Sequence, residues 1–216
     1  MILSRRVGLS LLLFTSIFFS GCAENPADRV PVAVVKSPAA SGEVSSTQSG
    51  TATSVFSLDE QTEVRFVGSK ITGSHEGGFK NVTGSVALVD GDLSQASVDV
   101  KIDMTSLFSD DKKLTVHLKG EDFFAVDSFQ NASFKSSQIV KDENVFMVTG
   151  ALTLRGVTKN IEFPANMALA NDKFTASAEF AIKRKDFGIE YPGRPDDLIR
   201  DEVVIKFDLT ASLKKA

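Results

Sequence analysis

The chain has few of the residues that support disulfides, metal centres or nucleic-acid binding. Its 216 residues include one cysteine, Cys22, and two histidines, His75 and His117. A single cysteine excludes an internal disulfide, so the fold must depend on apolar burial and backbone hydrogen bonds. The formal net charge is −4, with 24 basic and 28 acidic residues. Because binding to phosphates needs a basic surface, nucleic acid is not an expected partner.

Tryptophan is absent and there is one tyrosine, whereas phenylalanine occurs 17 times. Buried Trp and Tyr need a partner for their polar group, and Phe does not. The aromatic content therefore favours an interior without polar groups.

The N-terminal segment 1–21 has the pattern of an export signal. Arg5 and Arg6 precede a short apolar stretch at residues 9–19, and two small residues stand directly before Cys22. That stretch is too short for a membrane-spanning helix. The pattern resembles a bacterial lipoprotein signal. The resemblance implies cleavage before Cys22, a lipid attached to its sulfur, and a membrane anchor at that residue. A plain secretory signal is the alternative.

Residues 22–54 are rich in Ser, Thr, Ala, Gly and Pro, which predicts a flexible tether. The residue directly after Cys22 is Ala23 and not an aspartate. By resemblance to Gram-negative lipoproteins, this favours the periplasmic face of the outer membrane. The folded domain is then expected over 55–216.

Alternating apolar and polar residues predict β-strands, because successive side chains in a strand point to opposite faces. The most informative stretch is 150–159, where Arg155-Gly156 forms the turn between two alternating runs. Eight strands are predicted, at 62–72, 79–89, 94–103, 131–141, 146–154, 161–169, 172–183 and 203–213.

Short turns between most of these strands indicate antiparallel neighbours. The predicted fold is all-β: an eight-stranded antiparallel up-and-down β-barrel with a short helical insertion. The insertion lies within 104–130, where Asp111 can cap a helix that ends at Gly120. A second long loop is predicted at 184–200, and both loops are candidate lids.

The residues on the inward parity are mostly Phe, Val, Ala and Gly. An apolar ligand chain could occupy the space that the small residues leave between the rings. The alternative is a filled barrel, in which the same side chains pack only against one another and the protein has a structural, stress-related or interaction role.

Several motifs in fixed order resemble the YceI-like family across the folded part. They are Phe66 and Gly68, His75-Glu-Gly-Gly-Phe79, Gly84, Leu114 with His117-Leu118, Asp122-Phe-Phe124, Ala132-Ser-Phe134, the 150–159 stretch, and Arg184-Lys-Asp-Phe-Gly188. The resemblance implies a lipocalin-like barrel that binds a polyisoprenoid lipid, such as a quinone or a polyprenyl phosphate. The expected ligand-binding residues are Phe66, His75, Val86, Val100, His117, Phe134, Phe146, Phe163, Ala176, Phe180, Arg184 and Phe207.

The spacing of the two histidines fits no compact zinc signature. We expect His75 to hydrogen-bond a loop and His117 to cap the helical insertion over one end of the barrel, where either could contact a ligand head group. Basic residues at 155–159, 183–185, 194 and 200 could bind a pyrophosphate or form a solvated rim with nearby aspartates. No nucleophile elbow or phosphate loop is present, so no enzymatic activity is expected. A hydrolase in which a histidine meets Ser and a carboxylate is a third hypothesis. A second copy of the chain is a further candidate partner.

Overall fold

The structure, a computed structural model, describes residues 24–36 and 53–214. The predicted signal peptide 1–21, the lipid attachment at Cys22 and the tether residues 37–52 lie outside the described residues. In the part that is described, no helix has the length and apolar character needed to cross a bilayer.

The described residues form thirteen strands, one α-helix and three 3₁₀-helices. The strands are β1 Val34–Lys36, β2 Thr53–Leu58, β3 Glu63–Lys70, β4 Gly73–Phe79, β5 Val82–Val89, β6 Asp92–Asp103, β7 Leu107–Ser109, β8 Asn131–Asp142, β9 Val145–Leu154, β10 Val157–Ala170, β11 Lys173–Lys183, β12 Gly193–Arg194 and β13 Asp197–Leu213. The α-helix is α1, Lys112–Lys119, and the 3₁₀-helices are Pro26–Arg29, Met104–Ser106 and Arg184–Phe187.

The predicted antiparallel barrel is confirmed as a ring of hydrogen-bonded strands. Going round, the neighbours are β2, β5, β6, β8, β9, β10, β11 and β13, and β13 pairs again with β2. Eight strands close the ring, but the described residues form thirteen strands in all, partly because the chain bends within the wall. β2 continues into β3, β4 into β5, and β6 into β7, so that β3 pairs with β13 and β4 with β3 at one end.

Five of the described strands were not predicted, namely β1, β2, β4, β7 and β12, and β2 and β4 are the longest of them. β2 starts two residues before the predicted domain boundary at 55. β4 carries three glycines, and a Cβ at Gly77 would lie 2.4 Å from the ring of Phe66. Glycine at this position therefore allows the strand to lie close to an aromatic ring. Alternation of apolar and polar residues gives no sign of such a contact.

The turn at Arg155-Gly156 is confirmed. Leu154 pairs with Val157, and the two residues between them have φ of 51° and 75°. Positive φ at both central residues is the type I′ geometry that matches the twist of a hairpin. Inward parity on both strands of this hairpin is also as predicted, since Val148, Ile161 and Phe163 are buried.

The helical insertion is confirmed as α1. The Asp111 carboxylate accepts a hydrogen bond from the Leu114 N–H at 2.8 Å, and Gly120 ends the helix. This N-terminal cap lowers the pKa of Asp111 below its ordinary value, because the backbone N–H groups favour the ionised form. The helix and the following turn lie over one end of the ring, which we call the α1 end.

Two predicted flexible segments are instead packed against the ring. In the 184–200 loop, Phe187 and Ile189 are buried, and β13 already begins at Asp197. In the predicted tether, residues 24–36 form a 3₁₀-helix and strand β1, which pairs with β10. The prediction of a flexible tether is therefore wrong for these residues, because backbone pairing with an open strand edge compensates their lack of large apolar side chains.

The ring is tightly packed at the end opposite α1. Phe56, Val86, Leu88, Phe174 and Ala211 are at most 3% exposed there. The strands join at this end by short turns at 90–91, 143–144 and 171–172. This end is closed by side chains and turns.

Gly150 generates the first prediction. A Cβ at Gly150 would lie 2.4 Å from the Phe134 ring and 2.5 Å from the Lys135 carbonyl oxygen. Gly150→Ala should therefore lower the free energy of unfolding by about 1–3 kcal/mol, although alanine normally suits a strand better than glycine. Denaturant unfolding measures the change.

The matched control is Gly68→Ala, because no atom lies within 4 Å of a Cβ at Gly68. Equal stability of the two variants would contradict the packing of Phe134 on Gly150.

Candidate functional site

The interior of the ring contains a cavity of about 160 Å³. Strands from all sides of the ring line it, together with Met104 and Phe124 from the insertion. The lining side chains are apolar apart from Arg184, including Val64, Val98, Ile139, Val148, Leu152, Leu154, Ile161, Met167, Ile182, Val203, Ile205 and Leu209. Such a surface offers no hydrogen-bonding partner and selects for hydrocarbon.

A cluster of four phenylalanines occupies the middle of the interior beside this cavity. The Phe163 and Phe180 rings stack with their centroids 4.1 Å apart, and Phe134 lies 5.5 Å from Phe163. Phe207 meets both stacked rings edge-on, at 5.9 and 6.3 Å. These rings fill part of the space that the small inward residues leave, so the interior is neither wholly hollow nor wholly filled.

The structure brings most of the expected ligand-binding residues together. Those that line the cavity are Phe66, Val100, Phe134, Phe163, Ala176, Phe180, Arg184 and Phe207. Val86 and Phe146 also point inward but do not line the cavity: Val86 lies in the packed core towards the closed end, and Phe146 is likewise part of the packed core. Inward parity predicts that a residue is buried; its height along the barrel axis, which parity does not report, decides whether it meets the cavity.

Arg184 is 4% exposed, and only its stem can belong to the apolar lining. Its guanidinium donates hydrogen bonds to the backbone carbonyls of Arg200, Ile189 and Ile199, at 3.0, 2.7 and 3.4 Å. Burial lowers the pKa of Arg184 and nearby Asp201 opposes that shift. The side chain therefore holds the 189–200 segment to the 3₁₀-helix at Arg184–Phe187, instead of presenting its charge to the cavity.

The other basic residues of this end follow the same pattern. The Arg155 guanidinium donates to the carbonyls of Gly188 and Glu121, at 2.9 and 3.0 Å. The backbone N–H of Lys185 donates to an Asp201 carboxylate oxygen at 3.0 Å, a contact that holds the main chain and does not involve the ammonium group. These contacts support the interpretation of a structural rim over that of a pyrophosphate site.

A second pocket of about 380 Å³ opens at the α1 end, and we call it the mouth groove. It lies between α1, the β3–β4 hairpin and the 191–199 segment. Its lining includes Gly68, Ser69, Lys70, His75, Leu114, His117, Leu118, Phe123, Tyr191, Arg194, Asp197 and Ile199. Phe66 lines both this groove and the inner cavity, so its ring separates the two.

The charges in the mouth groove are largely paired. Lys70 Nζ lies 2.5 Å from an Asp197 carboxylate oxygen, and Thr72 donates to the same carboxylate. His75 Nδ1 lies 3.0 Å from Asp110, and His117 Nε2 lies 2.9 Å from Asp122. His75 is therefore bonded to a loop aspartate, as the sequence predicts, whereas the His117 ring is bonded to an aspartate of the turn that follows α1. Among residues 24–36 and 53–214, no three His, Cys, Asp or Glu side chains come together as a metal site needs.

Three rings line one side of the groove, and the His117 ring meets the other two edge to face. His117 lies 5.0 Å from Phe123 and 5.1 Å from Tyr191, and these two rings are 5.4 Å apart. Sequence reasoning named His117 but missed Tyr191 and Phe123 as candidates. The chain's single tyrosine, beside a Pro-Gly turn in a long loop, was a signal that could have pointed to Tyr191.

A closed antiparallel ring around an apolar cavity defines a lipocalin-like barrel. The chain belongs to the YceI-like family, since the model of the YceI-like domain matches residues 56–211. Protein YceI of Escherichia coli O157:H7 is 31% identical over 120 residues, and a UPF0312 protein of Serratia proteamaculans is 32% identical over 119. These alignments cover 53% and 52% of this chain, and 63% and 62% of the two relatives.

Solved structures share the fold. Burkholderia cenocepacia BcnA superposes with a TM-score of 0.64 at 28% identity, over 72% of this chain and 99% of BcnA. A polyisoprenoid binding domain from Saccharophagus degradans, described as implicated in plant cell wall breakdown, superposes with a TM-score of 0.61. That domain is 18% identical, over 74% of this chain and 98% of its own length, so it supports the fold alone.

The Lys70–Asp197 pair generates a prediction about acid stability. Hydrogen bonds from Lys70, and then from Thr72, lower the pKa of Asp197 below its ordinary value. A carboxylate with a lowered folded-state pKa adds stability above its unfolded pKa of about 3.9, and this stability is lost as the pH falls through the folded-state pKa. Asp197→Asn should therefore show a smaller loss of melting temperature than the parent between pH 6 and pH 3.

Thermal unfolding of both proteins across this pH range measures the difference. Parallel losses in the parent and in Asp197→Asn would contradict a stabilising role of the ionised carboxylate.

Proposed function

We propose that the chain is a binding protein for isoprenoid lipids, with the hydrocarbon chain held inside the barrel. The observation that carries the proposal is the apolar lining of the inner cavity, in which the one charged residue, Arg184, has its guanidinium engaged with backbone carbonyls. A ligand in this space must itself be hydrocarbon. Its burial contributes roughly 25 cal/mol per Å² before ordering costs.

A long isoprenoid requires more space than the cavity of about 160 Å³ offers, since pockets for drug-sized ligands measure about 300–1,000 Å³. The additional space comes from the stacked pair Phe163 and Phe180, whose rings can turn away from each other towards the small residues Ala165 and Ala176. Both alanines line the cavity beside these rings. The ligand then replaces ring-to-ring contacts with contacts to its own methyl-branched chain.

The mouth groove suits the polar head of such a lipid. It adjoins the cavity across Phe66, so a chain that displaces this ring connects the two spaces. Lys70 is neutralised by Asp197, and each histidine is bonded to an aspartate. The ring contacts offered by His117, Phe123 and Tyr191 favour a flat ring as the head group, as in a quinone, over a polyprenyl phosphate, and Arg194 is the groove's cation outside the Lys70–Asp197 pair.

The proposed role is sequestration or carriage of this lipid without catalysis. A lipid on Cys22 would hold the barrel on the periplasmic side of a bacterial membrane, favouring the outer membrane. The filled-barrel alternative, a structural or interaction protein, is favoured by one observation, the stacked Phe163–Phe180 pair in the centre of the interior.

Ala176→Phe tests the proposal against that alternative. Ala176 lines the cavity from β11, so a ring at this position should occupy the ligand's space. We expect a loss of bound isoprenoid of about tenfold or more, with a folded protein, since the added volume enters space that is already open. Mass spectrometry of solvent extracts and titration with polyprenols and quinones measure binding.

Thr175→Phe is the matched control, because Thr175 is the neighbouring residue on the exposed face of the same strand. Circular dichroism checks the fold of both variants. Absence of isoprenoid from the parent protein, with no uptake of added lipid, would contradict the proposed function and leave the filled barrel.

Tyr191 tests the assignment of the head group. Tyr191→Ala removes one ring of the three-ring cluster and should weaken binding of a quinone-headed isoprenoid by about threefold to tenfold, the range of a single aromatic contact. Binding of a polyprenol with the same chain length should change little. Tyr191→Phe keeps the ring and should bind both ligands as the parent does, whereas equal losses for both ligands would contradict ring recognition in the groove.

A further inference from the structure

A short N-terminal segment, residues 24–36, completes the wall of the ring, and we call it the strap. β10 and β11 pair with each other only over 166–170 and 173–177. Beyond these pairs the two strands separate, while each stays paired with its other neighbour, β9 or β13. The strap fills the resulting seam: β1 pairs with residues 160–162 of β10, and Val32 forms a bridge to Ala181 of β11.

The backbone contacts of the strap in this seam are few. Ala33 N–H donates to the Ala181 carbonyl at 2.8 Å, and Ala181 N–H donates to the Pro31 carbonyl at 2.9 Å. On the β10 side there are three residue pairs and the Lys36–Glu162 ion pair at 2.5 Å. The permanent wall is much more extensively paired, since β11 and β13 are in register over the whole of Lys173–Lys183.

The strap also buries little apolar surface. Ala33 is 8% exposed and reaches the interior core, and Ala27 packs on the outer face against Val67 and Val204. Val32, Val34 and Val35 are 47%, 56% and 45% exposed. Val30 adds to the outer contact, and buried Asn25 accepts a hydrogen bond from Ser69 at 3.2 Å. Residues 31–36, which cover the seam itself, bury only Ala33, so they are the part of the wall whose release disturbs the rest of the ring least.

Other routes to the cavity are covered by larger side chains. Phe56, Leu88 and Phe174 fill the closed end, and Phe66 with Phe124 separates the cavity from the mouth groove. Directly behind the seam, the stacked rings of Phe163 on β10 and Phe180 on β11 face the cavity. Opening the seam would therefore uncover the two rings that must move to admit a chain.

We propose that the seam between β10 and β11 is the portal through which an isoprenoid chain reaches the cavity, and that the strap is its gate. The inference rests on the proposed lipid binding. The strap begins two residues after Cys22, so an acyl anchor at that position brings the portal and its three exposed valines to the membrane surface where such a ligand resides. The strap lies outside the residues 56–211 that match the family domain.

A disulfide across the seam tests the gate. Val34 and Glu162 are directly opposed on β1 and β10, so Val34→Cys with Glu162→Cys can lock the strap. The full chain carries Cys22→Ser, so that only the introduced pair reacts. Uptake of a fluorescent farnesol derivative is followed by stopped-flow, with the protein oxidised and after reduction.

We expect uptake by the oxidised protein to be slower by at least about tenfold, with an unchanged final stoichiometry, because local opening then precedes binding. A control disulfide, Thr175→Cys with Thr210→Cys, joins the permanently paired strands β11 and β13 and should leave the rate unchanged. Equal rates before and after reduction of the strap disulfide would overturn the gate.

A complementary pair of variants opens the gate. Ala33→Asn places an uncharged polar side chain at a buried position of the strap and should speed uptake, whereas Val34→Asn, at an exposed position, should not. If lipid binds but neither variant nor the disulfide alters the rate, the gate is wrong and lipid binding stands. If no form of the protein takes up lipid, the proposed function is wrong and the gate fails with it.

Discussion

Closure of the hydrogen-bonded ring through β13 is the constraint on which the rest of the structure depends. β13 spans seventeen residues and pairs with β11 along one edge and with β3 and β2 along the other. With a single cysteine in the chain, no internal disulfide supports this closure. Backbone pairing and the burial of one apolar face must hold the ring, and closure removes the strand edges that an open sheet would expose.

Closure of the ring also limits the volume of the interior. A ring of this size has room for packed side chains or for one slender ligand. Here Phe134 lies over Gly150 and Phe163 stacks on Phe180, so aromatic rings occupy the centre, while apolar space remains beside them. In such an interior, contacts between side chains can be replaced by contacts to a ligand, and few polar groups have to rearrange. The proposed function requires this property.

The two ends of the barrel differ in chemistry. One end is closed by tight turns and buried phenylalanine and leucine, and the other carries α1, ion pairs and the rings of His117, Phe123 and Tyr191. In this groove Lys70 pairs with Asp197, each histidine is hydrogen-bonded to an aspartate, and Arg194 also belongs to the lining. Under the proposed function, the hydrocarbon tail of the lipid occupies the cavity and its head lies in this groove.

The sequence alone predicted the antiparallel barrel, the 150–159 hairpin, the capped helix from Asp111 to Gly120, and which side chains point inward. These features depend on residues close together in the chain: alternation, turn chemistry and capping. The sequence did not predict β4. Its Gly77 is needed because the ring of Phe66 on a neighbouring strand leaves no room for a Cβ, and this contact is not visible in the local sequence. Nor did it predict that Val86 and Phe146 lie in the packed core and not at the cavity, that the Arg184 guanidinium serves backbone carbonyls, or that residues 24–36 fill a seam. Each of these features depends on where distant parts of the chain meet after the ring closes. The local pattern of residue types does not specify those contacts.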